Sequence, residues 1–438
     1  MEKHFHEIRD AVHVFVHLDT EERRVVDSVA FQRLRHIHQL ALTHLVYPGA
    51  THRRFEHSLG VMELAGRVFD VITAERNRDS RVRQVFPPSP DALNYWRRVV
   101  RMAALCHDLG HLPFSHAAEG TLLPQGMKHH DLSAKIIQSD DMQRIWESVT
   151  PPLRRQEVAK LAVGPKDLKG EAFGPWESLL SETIVGDSFG VDRMDYLLRD
   201  SLHAGVIYGK IDQYRLIDTL RVLPENNTKE AEPALGVELG GLPSAEGLLL
   251  ARYFMYTQVY FHPVRRIYDI HLRDFLTAWL GRNRFPTELD DFLRLTDEEV
   301  LVEMRKAARD PSHPGHDPAD RILNRKHFRL LYERNPDDSA KNPEAGRAVY
   351  AAACQEFGDQ YVRHDRYAEK EDPADFPVRM RDDRIVSSRA QSHVLKDLPP
   401  VNVDYVFVAP EIRTEAEQWL ARNRQDIIVQ KEKEEDEP

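Results

Sequence analysis

Apolar positions along this chain recur mostly with a helical period. From Asp27 onward Phe31, Leu34 and Ile37 fall three apart, which predicts a helix with Asp27 or Ser28 as its N-cap. The segment YPGA (47–50) interrupts the pattern. A second helix is expected over about Glu56 to Ala74. A third starts near Ala92 and carries Val99, Val100, Ala103 and Ala104 into CHDLGH, with Pro113 closing the stretch. Further helices are expected at 130–147, 153–162 and 176–199, and a long one over 244–280 holds the aromatic runs RYFMYTQVYF and RRIYDIHL.

Strand-like alternation is confined to short stretches. Val12, Val14 and Val16 suggest an edge strand or hairpin arm. Leu220, Val222 and Leu223, then Leu235, Val237 and Leu239, flank the turn-rich PENNTKEAEP and predict a β-hairpin. Residues 307–320 and 334–346 read as loops. After about 365, VRMRDD and VDYVFVAP read as strands and EIRTEAEQWLARN as a helix. The expected fold is mainly α: a helical core over 1–365 with a hairpin inserted at about 219–240, a small α+β lobe at 366–430, and an acidic tail, 431–438, read as disordered solvating charge.

A length of 438 residues suits one large domain plus a lobe, and 41% hydrophobic residues suffice for a core. No run of about 18 apolar residues is present, so no membrane span is expected. The start, MEKHFHEIRD, lacks the apolar stretch of a signal peptide. Two cysteines, Cys106 and Cys354, make no disulfide framework, which fits a cytoplasmic protein. A formal charge of −11 disfavours nucleic acid as the main partner, although Arg97, Arg98 and Arg101 form a local basic patch for weak contacts. The 22 histidines change the picture most, because imidazole binds metals and moves protons near neutral pH.

Candidate metal donors stand far apart in sequence. His107 and Asp108 are adjacent on the third expected helix, His57 precedes them, and Asp192 follows in GVDRMDYLLRDS. Two imidazoles and two carboxylates make a mixed N/O site suited to Mn, Fe, Mg, Zn or Ni rather than a thiolate zinc site. Neighbours on a helix point about 100° apart, so both reach one ion only across a kink or at a helix end. Gly110 and Pro113 make such a distortion plausible. A His-Asp pair alone is common, but His107, His111 and His116 crowd into CHDLGHLPFSHAAE among Leu109, Leu112 and Phe114.

The blocks FEH (55–57), HDLGHLPFSH (107–116) and VDRMDYLLRDS (191–201) resemble the HD-domain phosphohydrolases. Two longer blocks, FQRLRHIHQL (31–40) and VYPGATHRRFEHSLGV (46–61), narrow the resemblance to the deoxynucleoside triphosphate triphosphohydrolases, of the sterile-alpha-motif and HD-domain type and its bacterial relatives. It covers roughly residues 5–280 and is faint beyond 365. It implies an HD-domain helical core with one divalent metal, held by His57, His107, Asp108 and Asp192. It also implies hydrolysis of a dNTP to deoxynucleoside and intact triphosphate, by attack of water on the α-phosphorus.

By the same resemblance His111, His116, Glu119 and His129 are catalytic, with His111 and His116 as imidazolium groups near phosphate or as proton donors. Glu119 stands where relatives have Asp, and His129 competes with His130 for its position in KHHDLS. Arg54 and Arg193 match phosphate contacts. Tyr196, Asp200, Gln39 and Leu40 match contacts to the sugar, and Arg252, Tyr260 and His262 match positions facing the nucleotide. An aromatic stripe like the one carrying Tyr260 is otherwise usually core. Asp27, Gln32 and Arg35 match a site where some relatives bind an activating nucleotide, GTP or a dNTP, between subunits, which would imply a dimer or tetramer. His6 replaces a lysine of that site.

Two other functions compete. One is a different HD hydrolase acting on nucleoside monophosphates, cyclic nucleotides or nucleic-acid ends. The other is a non-catalytic nucleotide or single-strand sensor, against which the complete ligand set speaks.

Overall fold

The computed structural model describes residues 5–115, 119–226, 232–281, 285–368 and 375–429. The chain divides into two units. The first comprises Met1–Met255, Arg282–Leu301 and Pro373–Pro399, and the second comprises Tyr256–Gly281, Val302–Asp372 and Pro400–Pro438. The fold is mainly α, with small sheets in both units.

The first unit is built on the helix Arg54–Thr73. Phe55, Leu59, Met62, Val68, Phe69 and Ile72 are buried, but so are Val61, Leu64 and Ala65 between them. A helix apolar on nearly every side must lie inside the bundle. The helix Pro90–Cys106 packs along it. It opens with Ser89 as N-cap and Pro90 in the first turn, where a missing N–H costs nothing. The helix Val191–Ala204 packs on Arg54–Thr73 as well, and it ends at Gly205 with φ of 73°.

The alternating valines near the N-terminus belong to a hairpin, Phe5–Asp10 paired antiparallel with Val14–Asp19. The second expected hairpin is Leu220–Pro224 against Pro233–Glu238, and part of its turn lies outside the described residues. It is not an isolated insertion. Pro377–Arg379 pairs parallel with it and Ile385–Ser387 follows, giving a four-stranded sheet. The expected boundary near 365 is therefore replaced by a discontinuous division, in which residues 373–399 return to the first unit.

Helix boundaries differ where capping residues intervene. The expected helix 130–147 is two, His129–Ile137 and Asp140–Ser148, because Ser139 caps the second. The expected helix 176–199 breaks at Gly186–Gly190 into Pro175–Val185 and Val191–Ala204. The long helix 244–280 is Leu242–Met255, a π-helical stretch Tyr256–Tyr260, and Pro263–Leu280. Pro263 has no N–H to continue the ladder, and the two units divide at this break. Asp27 is a C-cap, of Thr20–Val26, while Ser28 caps Val29–Gln32.

The second unit centres on an antiparallel sheet, in which Asn402–Val408 lies between Arg329–Glu333 and Val362–Ala368. The outer two strands were not apparent from periodicity. The helices Ala345–Phe357 and Arg413–Ile428 contribute to its core with Val349, Ala353, Val362, Val406, Val408, Ala416 and Leu420. The stretches read as loops at 307–320 and 334–346 contain the helices His316–Leu323, in part, and Pro336–Lys341. The acidic tail lies outside the described residues.

Candidate metal centre

His107 is the C-cap of Pro90–Cys106, so His107 and Asp108 sit where the helix ends rather than within it. Both side chains can then turn to one point. The bend is held from outside: Ser133 Oγ accepts the Gly110 N–H at 2.9 Å and donates to the His107 carbonyl at 2.8 Å. Gly110 is required by this approach. A Cβ there would fall 2.1 Å from the His129 carbonyl oxygen and 2.3 Å from the Ser133 nitrogen. The glycine of HDLGH thus lets the His107–Asp108 turn lie directly on the helix His129–Ile137.

Donor atoms of His57, His107 and Asp108 lie within 4.8 Å of one another, and all three residues are buried. Asp192 joins them from the first turn of Val191–Ala204, with Oδ1 3.0 Å from His57 Nε2 and 3.5 Å from His107 Nε2. His107 Nδ1 lies 2.7 Å from the Ala104 carbonyl and donates to it. Its Nε2 is buried and has no hydrogen-bond partner. A buried, unsatisfied ring nitrogen facing two carboxylates fits a cation ligand and is otherwise costly.

The electrostatics agree. Burial alone would raise Asp108, but Arg54, His107 and His111 hold it well below the usual carboxylate range. Burial is likewise overcome at Asp192 by the adjoining His107 imidazole, 3.5 Å away, and by the hydrogen bond from His57, so it stays ionised. Burial alone would lower His57, yet its bonds to Asp192 and Asp195 push it up to about 10. His107 is raised against burial by the charges of Asp108 and Asp192. The carboxylates draw positive charge into the cluster, and a divalent ion would meet that demand in place of protons.

Behind the ligands, His111 Nε2 lies 3.0 Å from Asp108 Oδ1, and its ring stacks on His129 with centroids 4.0 Å apart. Burial, with the charges of Arg54 and His129, pushes His111 well below its ordinary value. Glu119 Oε1 accepts the His129 backbone N–H at 2.7 Å and lies 2.8 Å from His129 Nδ1. One carboxylate oxygen therefore caps the helix and sets the ring. His130 turns instead to Asp167, at 3.0 Å. His116 lies outside the described residues.

Other expected contacts are placed as follows. Arg54, buried at the start of its helix, is bonded to Asp108 and to Ser115 Oγ at 2.8 Å. Arg193 Nε donates to Tyr196 Oη at 3.3 Å. Asp200 is buried against His52 Nε2 at 2.7 Å. Gln39 and Leu40 are buried, and Gln39 Oε1 has no hydrogen-bond partner. Arg252 is part-buried in the first unit, whereas Tyr260 and His262 belong to the second. His262 is the N-cap of Pro263–Leu280, its Nδ1 accepting the Val264 N–H at 3.2 Å. Asp27 pairs with Arg23 Nε at 2.8 Å, Gln32 Nε2 donates to the Val26 carbonyl at 2.7 Å, and Arg35 Nε donates to Gln32 Oε1 at 2.8 Å.

The basic patch read at Arg97, Arg98 and Arg101 is not available as such. Arg97 is forked onto Asp70, Arg98 pairs with Glu21, and Arg101 is buried against Glu22. Periodicity and motif also left out Asp297. Its buried carboxylate accepts the backbone N–H groups of His38 and Phe114, each at 2.7 Å. It thereby fixes Phe114 and Ser115, whose φ values are 55° and 59°. It opens the helix Asp297–Ala307, which was not among the expected helices.

Comparison with known proteins agrees with this geometry. The HD domain matches residues 54–163, and the HD associated region matches 211–345. The crystal structure of a hypothetical protein from Aquifex aeolicus superposes with a TM-score of 0.77 at 31% identity, covering 95% of this chain and 100% of that one. This chain belongs to the HD-domain family. His107 and Asp108 both lie within the matched HD domain, which begins at Arg54. An uncharacterized protein of Methanocaldococcus jannaschii is 35% identical over 266 residues, 61% of this chain and 48% of that protein. The deoxynucleoside triphosphate triphosphohydrolase SAMHD1 of Gallus gallus is 30% identical over 369 residues, 76% of this chain and 57% of that protein. The chain thus spans about half the length of the curated relatives it matches. Among the described residues no helix is long and apolar enough to cross a membrane.

Proposed function

We propose that the protein hydrolyses deoxynucleoside triphosphates to deoxynucleoside and inorganic triphosphate with the help of one divalent metal. The observation that carries this reading is the buried His57, His107 and Asp108 cluster with the unpartnered His107 Nε2, joined by Asp192. The similarity to a triphosphohydrolase over most of the chain supports the substrate class.

His57, His107, Asp108 and Asp192 would hold the metal ion, which would supply Lewis acidity toward an α-phosphate oxygen and the attacking water. Water oxygen forms the new bond to the α-phosphorus, the bond to the 5′-oxygen breaks, and that oxygen must receive a proton. His129, held at Nδ1 by Glu119, is the side chain we assign to carry that proton at Nε2. His111 is assigned to hold Asp108 in place, from 3.0 Å away. Arg54 holds Asp108 from the other side and offers its remaining guanidinium edge to phosphate. Asp200, fixed by His52, and the buried Gln39 and Leu40 are assigned to the sugar, where close packing would exclude a 2′-hydroxyl.

The test is turnover of each dNTP by the full chain with Mn²⁺, with and without GTP as activator through Asp27, Gln32 and Arg35. Release of triphosphate and deoxynucleoside is expected. Release of pyrophosphate or monophosphate would replace this reading with another HD-domain phosphohydrolase activity, and nucleotide binding without turnover would replace it with a sensor.

A further inference from the structure

Behind His57 lies a buried ion cluster that ties the VDRMDYLLRDS block to the N-terminal hairpin. Asp195 is its hub. Oδ2 lies 2.8 Å from His57 Nδ1, and Oδ1 lies 2.6 Å from His13 Nε2. Arg199 forks onto the same carboxylate, Nε to Oδ2 at 2.8 Å and Nη2 to Oδ1 at 2.9 Å. The guanidinium continues to Asp10, with Nη1 donating to Oδ2 at 2.8 Å. Asp10 Oδ1 in turn accepts the backbone N–H groups of Val12 and His13, at 2.9 and 2.8 Å. That closes the turn of the N-terminal hairpin. All five side chains are buried.

Two details separate this cluster from an ordinary internal ion pair. Asp195 is one helical turn beyond Asp192, so a single helix supplies one candidate ligand and the carboxylate behind another. The main helix also makes room for it. A Cβ on Gly60 would lie 2.0 Å from Asp195 Oδ1 and 2.6 Å from Arg199 Nη2. The pair Asp195–Arg199 is already satisfied by its fork. His13 adds a further partner from another element and leaves Asp195 no rotation, which fixes the His57 ring with Nε2 toward Asp192 and Asp108.

We infer that the N-terminal hairpin is a working part of the metal centre, with Asp10 and His13 as positioning residues that hold His57 through Asp195 and Arg199. A partner on the far ring nitrogen sets which nitrogen faces the metal and how the ring is aimed. The inference rests on the metal-site reading above and not on the substrate.

Co²⁺ binding to the full chain, followed by calorimetry and by the visible d–d absorption, tests it without any nucleotide. His13→Ala should weaken Co²⁺ about ten- to a hundredfold and change the absorption envelope. His13→Gln, whose amide nitrogen reaches the place of Nε2, should recover most of both. Wild-type affinity and spectrum in His13→Ala would overturn the inference, as would equal losses in the alanine and glutamine variants with native far-UV dichroism. Should His13→Ala not fold, Asp10→Asn is read by the same two signals: weakened binding in a folded chain supports the inference, and unchanged binding overturns it. A wild-type protein that binds Co²⁺ but cleaves no dNTP would defeat the proposed substrate while these binding data still decide the role of the hairpin.

Discussion

Replacing Gly110 by alanine is the sharpest test of how the metal turn is held. The added methyl would sit 2.1 Å from the His129 carbonyl oxygen and 2.3 Å from the Ser133 nitrogen. Both are backbone atoms, so no side chain can swing aside. Real Cβ contacts start near 3.0 Å, and the turn and the helix His129–Ile137 must therefore separate by about 0.9 Å. That movement stretches both bonds of Ser133 Oγ, to Gly110 and to His107. Overpacking of this kind costs about 1–3 kcal/mol. The catalytic loss should be larger in proportion, because His107, Asp108 and His129 all ride on the displaced pieces. A misplacement of about 1 Å costs roughly a hundredfold in rate. Denaturant unfolding and steady-state kinetics on the same preparation give both quantities. A Gly110→Ala protein with wild-type turnover and stability would refute the close approach of turn and helix.

Three further outcomes follow from the same geometry. Asp192→Ala should abolish metal binding, measured by calorimetry, together with hydrolysis. Retained turnover would remove Asp192 from the ligand set. Glu119→Gln keeps an acceptor for the His129 backbone but not the charge that favours a proton on the ring, so kcat should fall by about 10²–10⁴ with little change in metal affinity. An unchanged kcat would take His129 out of proton transfer. In the second unit, burial and the charges of Arg321 and Arg363 push His271 down to about 3, and its Nε2 accepts the Phe328 N–H at 3.2 Å. The unfolded chain binds that proton near pH 6.5 and the folded chain does not, so stability is full above that pH and is lost as pH falls toward 3. Between about pH 7 and about pH 5 the loss from this group should be about 2 kcal/mol, and over that range His271→Gln should lose about 2 kcal/mol less stability than wild type in urea titrations. A variant with the same pH dependence as wild type would refute it.

The sequence by itself carried the helical character, the order of the motif blocks and a set of candidate donors. Those are local properties: apolar residues at helical spacing imply a buried face, and His57, His107, Asp108 and Asp192 stand inside short motif blocks that can be read without a structure. It also located the hairpin at Leu220–Leu239 and marked Val12–Val16 as an edge strand or hairpin arm, because alternation is visible within a few residues. What joins distant residues was settled only in three dimensions. His13 meets Asp195 across 182 positions, Asp297 meets His38 across 259, and Pro377–Arg379 completes a sheet begun at Leu220. Nothing in local periodicity encodes such pairings, since each partner looks alone like a surface charge or an ordinary short strand. The same holds for His129 and His130. The two are neighbours of one type, and only the position of Glu119 and Asp167 around the helix end turns one ring to His111 and the other away.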